Sequence, residues 1–299
     1  MDGTRGTRIR LLAGAAVLAV LLLRVGPQPF LDGLARTDPR AIAYALVVTA
    51  ATTACCARRW SLVAGGLGVG LPFGAAYRAC YRAQVLNATL PGGVAGDVHR
   101  GYRHGRDAGA LGRGLRSVVW DRASGQAVQV ALAVACVPLL PHALRGWVLG
   151  VLAFVVLAAV VVLVAARREA RAVLGGAWAE VVLLSALAAA GHVSVFVVAA
   201  RTAGVTAPGA DLAALALVVL LASAIPLGIA GWGPREGAAA AAFGAAGLGA
   251  ATGVEVAVVF GILSLVATLP GLLVLRSVPT TGPERAKGGR AWASTPTSS

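Results

Sequence analysis

Apolar blocks of membrane-spanning length, separated by short arginine-bearing loops, dominate the pattern of this chain. A helix needs about 20 apolar residues to cross the hydrocarbon core of a bilayer. Blocks at about 9–26, 41–57, 123–138, 146–166, 181–200 and 256–275 read as six spans. Arg5, Arg8 and Arg10 precede the run Leu11 to Leu23. That start resembles a signal peptide, but no small-residue cleavage site precedes the polar loop 26–40, so it reads as a retained first span. Arg58, Arg59 and Trp60 close the second span as a basic and aromatic interfacial anchor.

Two segments, 72–98 and 212–250, do not fit simple spanning. Residues 90–96 read Leu-Pro-Gly-Gly-Val-Ala-Gly, and residues 225–231 read Ile-Pro-Leu-Gly-Ile-Ala-Gly. Proline, glycine, alanine and glycine recur at matching positions. In each copy an arginine follows nine residues after the proline: Arg100 after Pro91, Arg235 after Pro226. Such breaks survive at membrane depth only where protein or water satisfies the freed backbone. Pro91, Gly92 and Gly93, and Pro226, Gly231 and Gly233, are therefore read as helix breaks within two re-entrant hairpins.

Charge tests the arrangement. With the N-terminus cytoplasmic and both hairpins leaving by the side they entered, Arg24, Arg36, Arg40, Arg145 and Arg201 lie outside. Arg78, Arg82 and Arg235 lie in the hairpins, and the rest of the 26 basic residues lie on the cytoplasmic side. This satisfies the positive-inside rule. Three spans per half is odd, so the second half is inverted relative to the first, as in many transporters. The expected fold is an all-α polytopic membrane protein, with about six spanning helices and two opposed re-entrant hairpins in an inverted repeat. The expected domain covers 1–276, in halves at about 9–141 and 142–276, followed by a disordered polar tail at 277–299. Localisation is expected in the cell membrane, with both termini cytoplasmic.

Composition agrees: 58% of the 299 residues are hydrophobic and 13% charged, about half the charge of a soluble domain. A net charge of +14 would suggest nucleic acid in a soluble protein. Here the arginines sit between apolar blocks and face anionic headgroups, so no nucleic-acid partner is expected. Cys55, Cys56, Cys80 and Cys136 fall in or beside apolar blocks without metal-ligand spacing and read as small buried residues. His99 and His104 show no metal spacing either, so neither a metal nor a cofactor is expected. No Walker loop, nucleophile elbow or His-Glu-x-x-His motif is present, so the chain is not read as an enzyme.

Two signatures carry a family resemblance. One is Asn87-(x)3-Pro91-Gly92-Gly93-(x)2-Gly96-Asp97-(x)2-Arg100, followed by Asp121-Arg122-(x)2-Gly125. The other is Pro226-(x)4-Gly231-Trp232-Gly233-Pro234-Arg235-Glu236, with Pro270-Gly271 further on. Together they resemble the transmembrane domain of lysylphosphatidylglycerol synthases over roughly residues 10–276. Pro234 departs from the small apolar residue expected before the Arg-Glu pair. The resemblance implies a flippase-like domain that moves a polar-headed lipid between leaflets of the cell membrane: an aminoacyl-phospholipid, a glycolipid or a polyprenyl-linked lipid. In two-part members a soluble aminoacyltransferase follows. The polar residues after Arg276 leave no room for one, so lipid aminoacylation is not expected of this chain. The alternative, of a different class, is a non-transporting membrane partner of a lipid-modifying or glycosyl-transfer enzyme.

The candidate site follows from the few ionisable residues beside the breaks. Asp97 and Arg100 share a helix face at three-residue spacing, and Arg100 would hold a phosphate bidentately. Arg235 and Glu236 open a Gly/Ala helix, whose N-terminus offers free amides to an anion. Asp121 and Arg122 enter apolar sequence together, either as a functional pair or as a local brace. Asn87, Asp97, Arg100, Arg122, Trp232, Arg235 and Glu236 are the expected headgroup-binding residues, with Arg122 at the cytoplasmic mouth. Glu180 and Glu255 read as interfacial, and His192 as a helix–helix hydrogen bonder.

Overall fold

A computed structural model describes residues 38–90, 93–224 and 234–276. The described residues are helical and contain no strand. Helix α1 spans Pro39–Gly66, with Asp38 at its N-cap accepting from the Arg40 amide at 2.8 Å and Pro39 in its first turn. Helices α2 (Phe73–Thr89) and α3 (Ala95–Asp107) form a short pair around the first break. Leu90 is extended (φ −106°, ψ 147°), as a residue before proline prefers. Gly93 has φ +61°, a left-handed conformation that a residue with a Cβ adopts at a cost. Helix α4 spans Leu111–Cys136 and runs into a 3-10 turn, Val137–Leu139. Helix α5 spans His142–Ala165, followed by the short α6, Arg167–Leu174. Helix α7 (Trp178–Thr202), α8 (Gly209–Ser223), α9 (Pro234–Ala245), α10 (Ala250–Thr268) and α11 (Gly271–Arg276) complete the bundle.

Among the described residues α1, α4 with its 3-10 turn, α7 and α10 are long and apolar enough to cross a membrane. Helix α5, 24 residues long, stands where the next expected span lies, and its exposed Trp147, Phe154 and Leu157 suit a lipid-facing surface. The chain is an all-helical polytopic membrane protein. The expected span at 9–26, the tail at 277–299, and the breaking residues Pro91, Gly92, Pro226, Gly231 and Gly233, with Trp232, lie outside the described residues.

Two apolar clusters lie toward opposite ends of the bundle. The smaller gathers Ala57, Trp60, Ala64, Ala76, Cys80 and Val118 from α1, α2 and α4. It lies toward the end where Arg58 meets Glu180 and Arg116 meets Glu169, the basic end. The larger joins Ala41 and Ala45 to Phe196, Leu212, Phe243, Val256 and Phe260. The pair α2–α3 therefore packs from the basic end and the pair α8–α9 from the other. Between the two clusters sits the charge that the sequence places beside the breaks.

Helix boundaries correct part of the sequence reading. Helix α1 continues past Arg58, Arg59 and Trp60 to Gly66, so these residues are not its interfacial end. Trp60 is fully buried, and its indole Nε1 donates to Ser117 Oγ at 2.9 Å. Helix α4 begins at Leu111, twelve residues before the expected span at Ala123, so Arg113, Arg116 and Arg122 are helical. The reason is local: Gly101 and Gly105 on α3 face Gly114 on α4, and the missing side chains let the two backbones cross in contact. A Cβ on Gly105 would stand 2.8 Å from Leu111 Cα, whereas one on Gly112 meets nothing within 4 Å.

Gly105→Val should therefore cost about 1–3 kcal/mol through overpacking and lower the heat-unfolding midpoint of the detergent-solubilised protein. Gly112→Val should leave the midpoint unchanged. Equal midpoints for the two variants would remove this crossing as the reason α4 starts early.

Candidate functional site

Helices α1, α3 and α4 bring charge together in the apolar bundle. Arg59 on α1 donates through Nε to Asp121 Oδ1 on α4 at 2.8 Å. Asp121 Oδ2 accepts from Arg100 Nη2 on α3 at 2.7 Å. Arg100 Nε donates to Asp97 Oδ1 at 2.9 Å, one helical turn back. Arg122 donates to Asp97 Oδ2. The charges alternate along this chain, and all but Arg122 are buried. The alternation answers the cost of desolvation: each buried ion has an opposite partner within hydrogen-bond distance.

Neutral groups complete the shell. Asn87, near the end of α2, donates to Asp97 Oδ2 at 3.0 Å and accepts from the Gly96 amide at 2.7 Å, which bridges the first break. Arg59 donates to Ser185 Oγ on α7 at 3.0 Å. The Arg100 guanidinium lies 4.5 Å from the Trp60 ring centroid, a cation–π distance. Gly125 is the notch that admits Arg59: a Cβ there would come 2.7 Å from the guanidinium Nη1. Across the bundle Arg235, at the start of α9, pairs with Glu236 at 2.8 Å and lies 5.9 Å from the Phe260 ring centroid. Gly261 makes room for Arg235, since a Cβ would fall 2.9 Å from its Cζ. Pro234 is the first residue of α9, a position where its missing N–H costs no helical bond.

A cavity of about 340 Å³ lies between these groups. Its lining includes Asn87, Gly93, Asp97 and Arg100 from the α2–α3 break, and Ser223 and Arg235 from the flanks of the second break. Arg59, Asp121 and Arg122 line it from α1 and α4, and His192 from α7. Thr49, Gln84, Ser264 and Thr268 add uncharged polar groups. Of the expected residues, Asn87, Asp97, Arg100, Arg122 and Arg235 face one space, Glu236 is joined to it through Arg235, and Trp232 lies outside the described residues. Gly93 lines the same space.

The roles differ within that set. Arg100 is engaged on Asp97, Asp121, the Cys80 sulfur and Trp60, so its guanidinium braces three helices. Asn87 is engaged in the same way on the hairpin. Arg122 keeps 53% of its side chain exposed and has one carboxylate partner. It is the cation of this chain of charges best placed to meet an incoming anion. The sequence reading missed Arg59. Its signal was the polar stripe Thr49, Thr53, Cys56 and Arg59, which recurs at helical spacing along α1. Thr53, on that stripe, exchanges hydrogen bonds with Gln84 of α2 at 3.0 Å and 3.2 Å.

The profile for the lysylphosphatidylglycerol synthase TM region matches residues 9–271. No curated protein matches the chain.

Removing the shared carboxylate should be severe. Asp121→Asn leaves Arg59 and Arg100 without their common partner, at about 3–5 kcal/mol. Arg58→Ala breaks a pair that is 48% and 43% exposed, worth about 0–1 kcal/mol. Thermal unfolding in detergent should show a large drop for Asp121→Asn and almost none for Arg58→Ala; a wild-type midpoint in Asp121→Asn would mean that the alternating charges do not hold the bundle.

Proposed function

Because this chain belongs to the lysylphosphatidylglycerol synthase transmembrane family, we propose that it carries a polar-headed lipid between the leaflets of the cell membrane. The observation that supports the reading is the position of the cavity. It lies between two helix pairs that pack from opposite ends of an apolar bundle, and the flanks of both breaks contribute to its wall. A headgroup crossing hydrocarbon loses its hydration, at several kcal/mol per uncompensated charge. A polar chamber within the bundle supplies the hydrogen bonds that water would have made. Its volume is at the lower end of the ~300–1,000 Å³ usual for small-ligand sites. That suits a headgroup whose acyl chains remain in the bilayer.

In this reading the chain performs no covalent chemistry. Its basic end faces the cytoplasm, following the positive-inside rule, and α8–α9 enters from outside as the inverted counterpart of α2–α3. A cysteine placed at 107 in a cysteine-free background should react with impermeant reagents only from the cytoplasmic side, and one at 207 only from outside. Reaction with the opposite pattern would reverse the orientation.

Transport is tested in liposomes holding the purified protein and a fluorescent phospholipid whose outer-leaflet pool is bleached. Wild type should make the inner pool accessible. Ser264→Trp narrows the cavity from α10 while leaving every charged residue in place, and should slow the movement about tenfold or more while the unfolding midpoint is retained. Unslowed movement in a folded Ser264→Trp protein would place the lipid path elsewhere. No movement of any lipid by wild type would favour a membrane partner of a lipid-modifying enzyme.

A further inference from the structure

We infer that the cavity takes a head of net negative charge, a phosphodiester bearing an uncharged hydroxylated group, and disfavours aminoacylated, cationic heads. The inference rests on the transport reading for its occupant, a lipid, but concerns the chemistry of the chamber alone.

The carboxylates settle what a cation would find. Asp121 is held by Arg59 and Arg100. Asp97 is held by Arg100, Arg122 and Asn87. Glu236 is held by Arg235. Among the described residues of the chamber an incoming ammonium therefore meets no carboxylate without a guanidinium already on it. Among the described residues the charges around the chamber do not cancel: Arg59, Arg100, Arg122 and Arg235 face Asp97, Asp121 and Glu236, so one positive charge remains. Residues 225–233 add no ionisable side chain to this balance.

Arg122 is where the remaining charge is offered. Its side chain is 53% exposed, and a guanidinium carries five N–H donors in a planar fork. A phosphodiester oxygen pair fits that fork. Withdrawal of Arg122 toward a phosphate leaves Asp97 with Arg100 and Asn87, so no buried carboxylate is stranded. The rest of the wall is neutral. The hydroxyls of Ser223 and Thr268 donate to carbonyls of their own helices, and their oxygens remain to accept from hydroxyl donors of a head. An ammonium could use those acceptors too, but only against the net positive field, which is strong at low dielectric.

The test compares lipids that differ only in the head. Full-length protein is incubated with equimolar phosphatidylglycerol, lysyl-phosphatidylglycerol and phosphatidylcholine of identical acyl chains, and retained lipid is read by native mass spectrometry. Phosphatidylglycerol should be retained about tenfold over the lysylated form in wild type, a comparison that needs no variant. Arg122→Gln should remove most of that preference, and Arg122→Lys should keep its direction with weaker retention, because lysine has the charge without the fork. Equal or better retention of lysyl-phosphatidylglycerol overturns the inference, as does an Arg122→Gln protein with the wild-type preference. Tail-free glycerophosphoglycerol that binds as tightly as the lipid also overturns it, by assigning the chamber to a soluble anion. The same lipids in the liposome assay separate the two readings. Selective retention without movement supports this head assignment and sinks transport, whereas equal movement of anionic and lysylated lipids sinks the head assignment and leaves transport standing.

Discussion

A guanidinium held inside an apolar bundle keeps its charge at all accessible pH, so its surroundings must supply the counter-charge. In this protein that requirement is met by Asp121, which receives Arg59 from α1 and Arg100 from α3 on its two oxygens. Through a single carboxylate the consecutive helices α3 and α4 are fixed to each other and to the more distant α1. Asp97 then extends the chain to Arg122, and Asn87 ties Asp97 to the end of α2. Apolar contact alone is a weak guide in lipid, where tails compete with side chains for the same surfaces. The alternating charges give the bundle a register that apolar packing would leave loose.

The same constraint shapes the cavity. Among the described residues every buried charge beside it is paired with an opposite one, so its wall is polar without presenting stranded ions. What is left to act on a guest is the margin of that arrangement: a half-exposed arginine, a residual positive charge, and hydroxyl and amide groups from α1, α2, α8 and α10. Glycines permit the close packing behind the charges. Gly125 admits Arg59 and Gly261 admits Arg235, so each of these buried guanidiniums lies against a helix face that has no side chain. The Asp121-Arg122-(x)2-Gly125 signature thus holds three separate jobs within two turns: a shared carboxylate, a cavity-facing cation, and room for Arg59.

Much of the fold was legible. Apolar blocks of spanning length gave α1, α4, α5, α7 and α10, and the two proline–glycine breaks gave the short pairs α2–α3 and α8–α9. Helix ends were read less well because charge was taken as a marker of the interface. Arg58 obeys that rule, pairing with Glu180 at the exposed end of α7. Its neighbour Arg59 points about 100° away around the helix and meets Asp121 instead. One residue of offset separates a solvated ion from a buried one, and hydropathy averaged over a window cannot resolve that. Arg100 was read in part: spacing put it beside Asp97, where the structure has it, but only the packing of α4 engaged its remaining donors.

Sequence by itself determined the class, an all-helical membrane protein, because span length and apolar composition answer to the bilayer and need no tertiary partner. It also determined where the helices break, since proline and glycine act on their own backbone. Which charged groups brace the protein and which one remains open to a guest was decided by tertiary structure. Arg100 and Arg122 are chemically the same side chain, and both reach Asp97. They differ in that a second carboxylate, a sulfur and an indole surround Arg100, while Arg122 keeps half of its side chain exposed beside the cavity. The reason is geometric: a counter-charge brought from another helix is a property of the packed bundle and has no local signature in the chain.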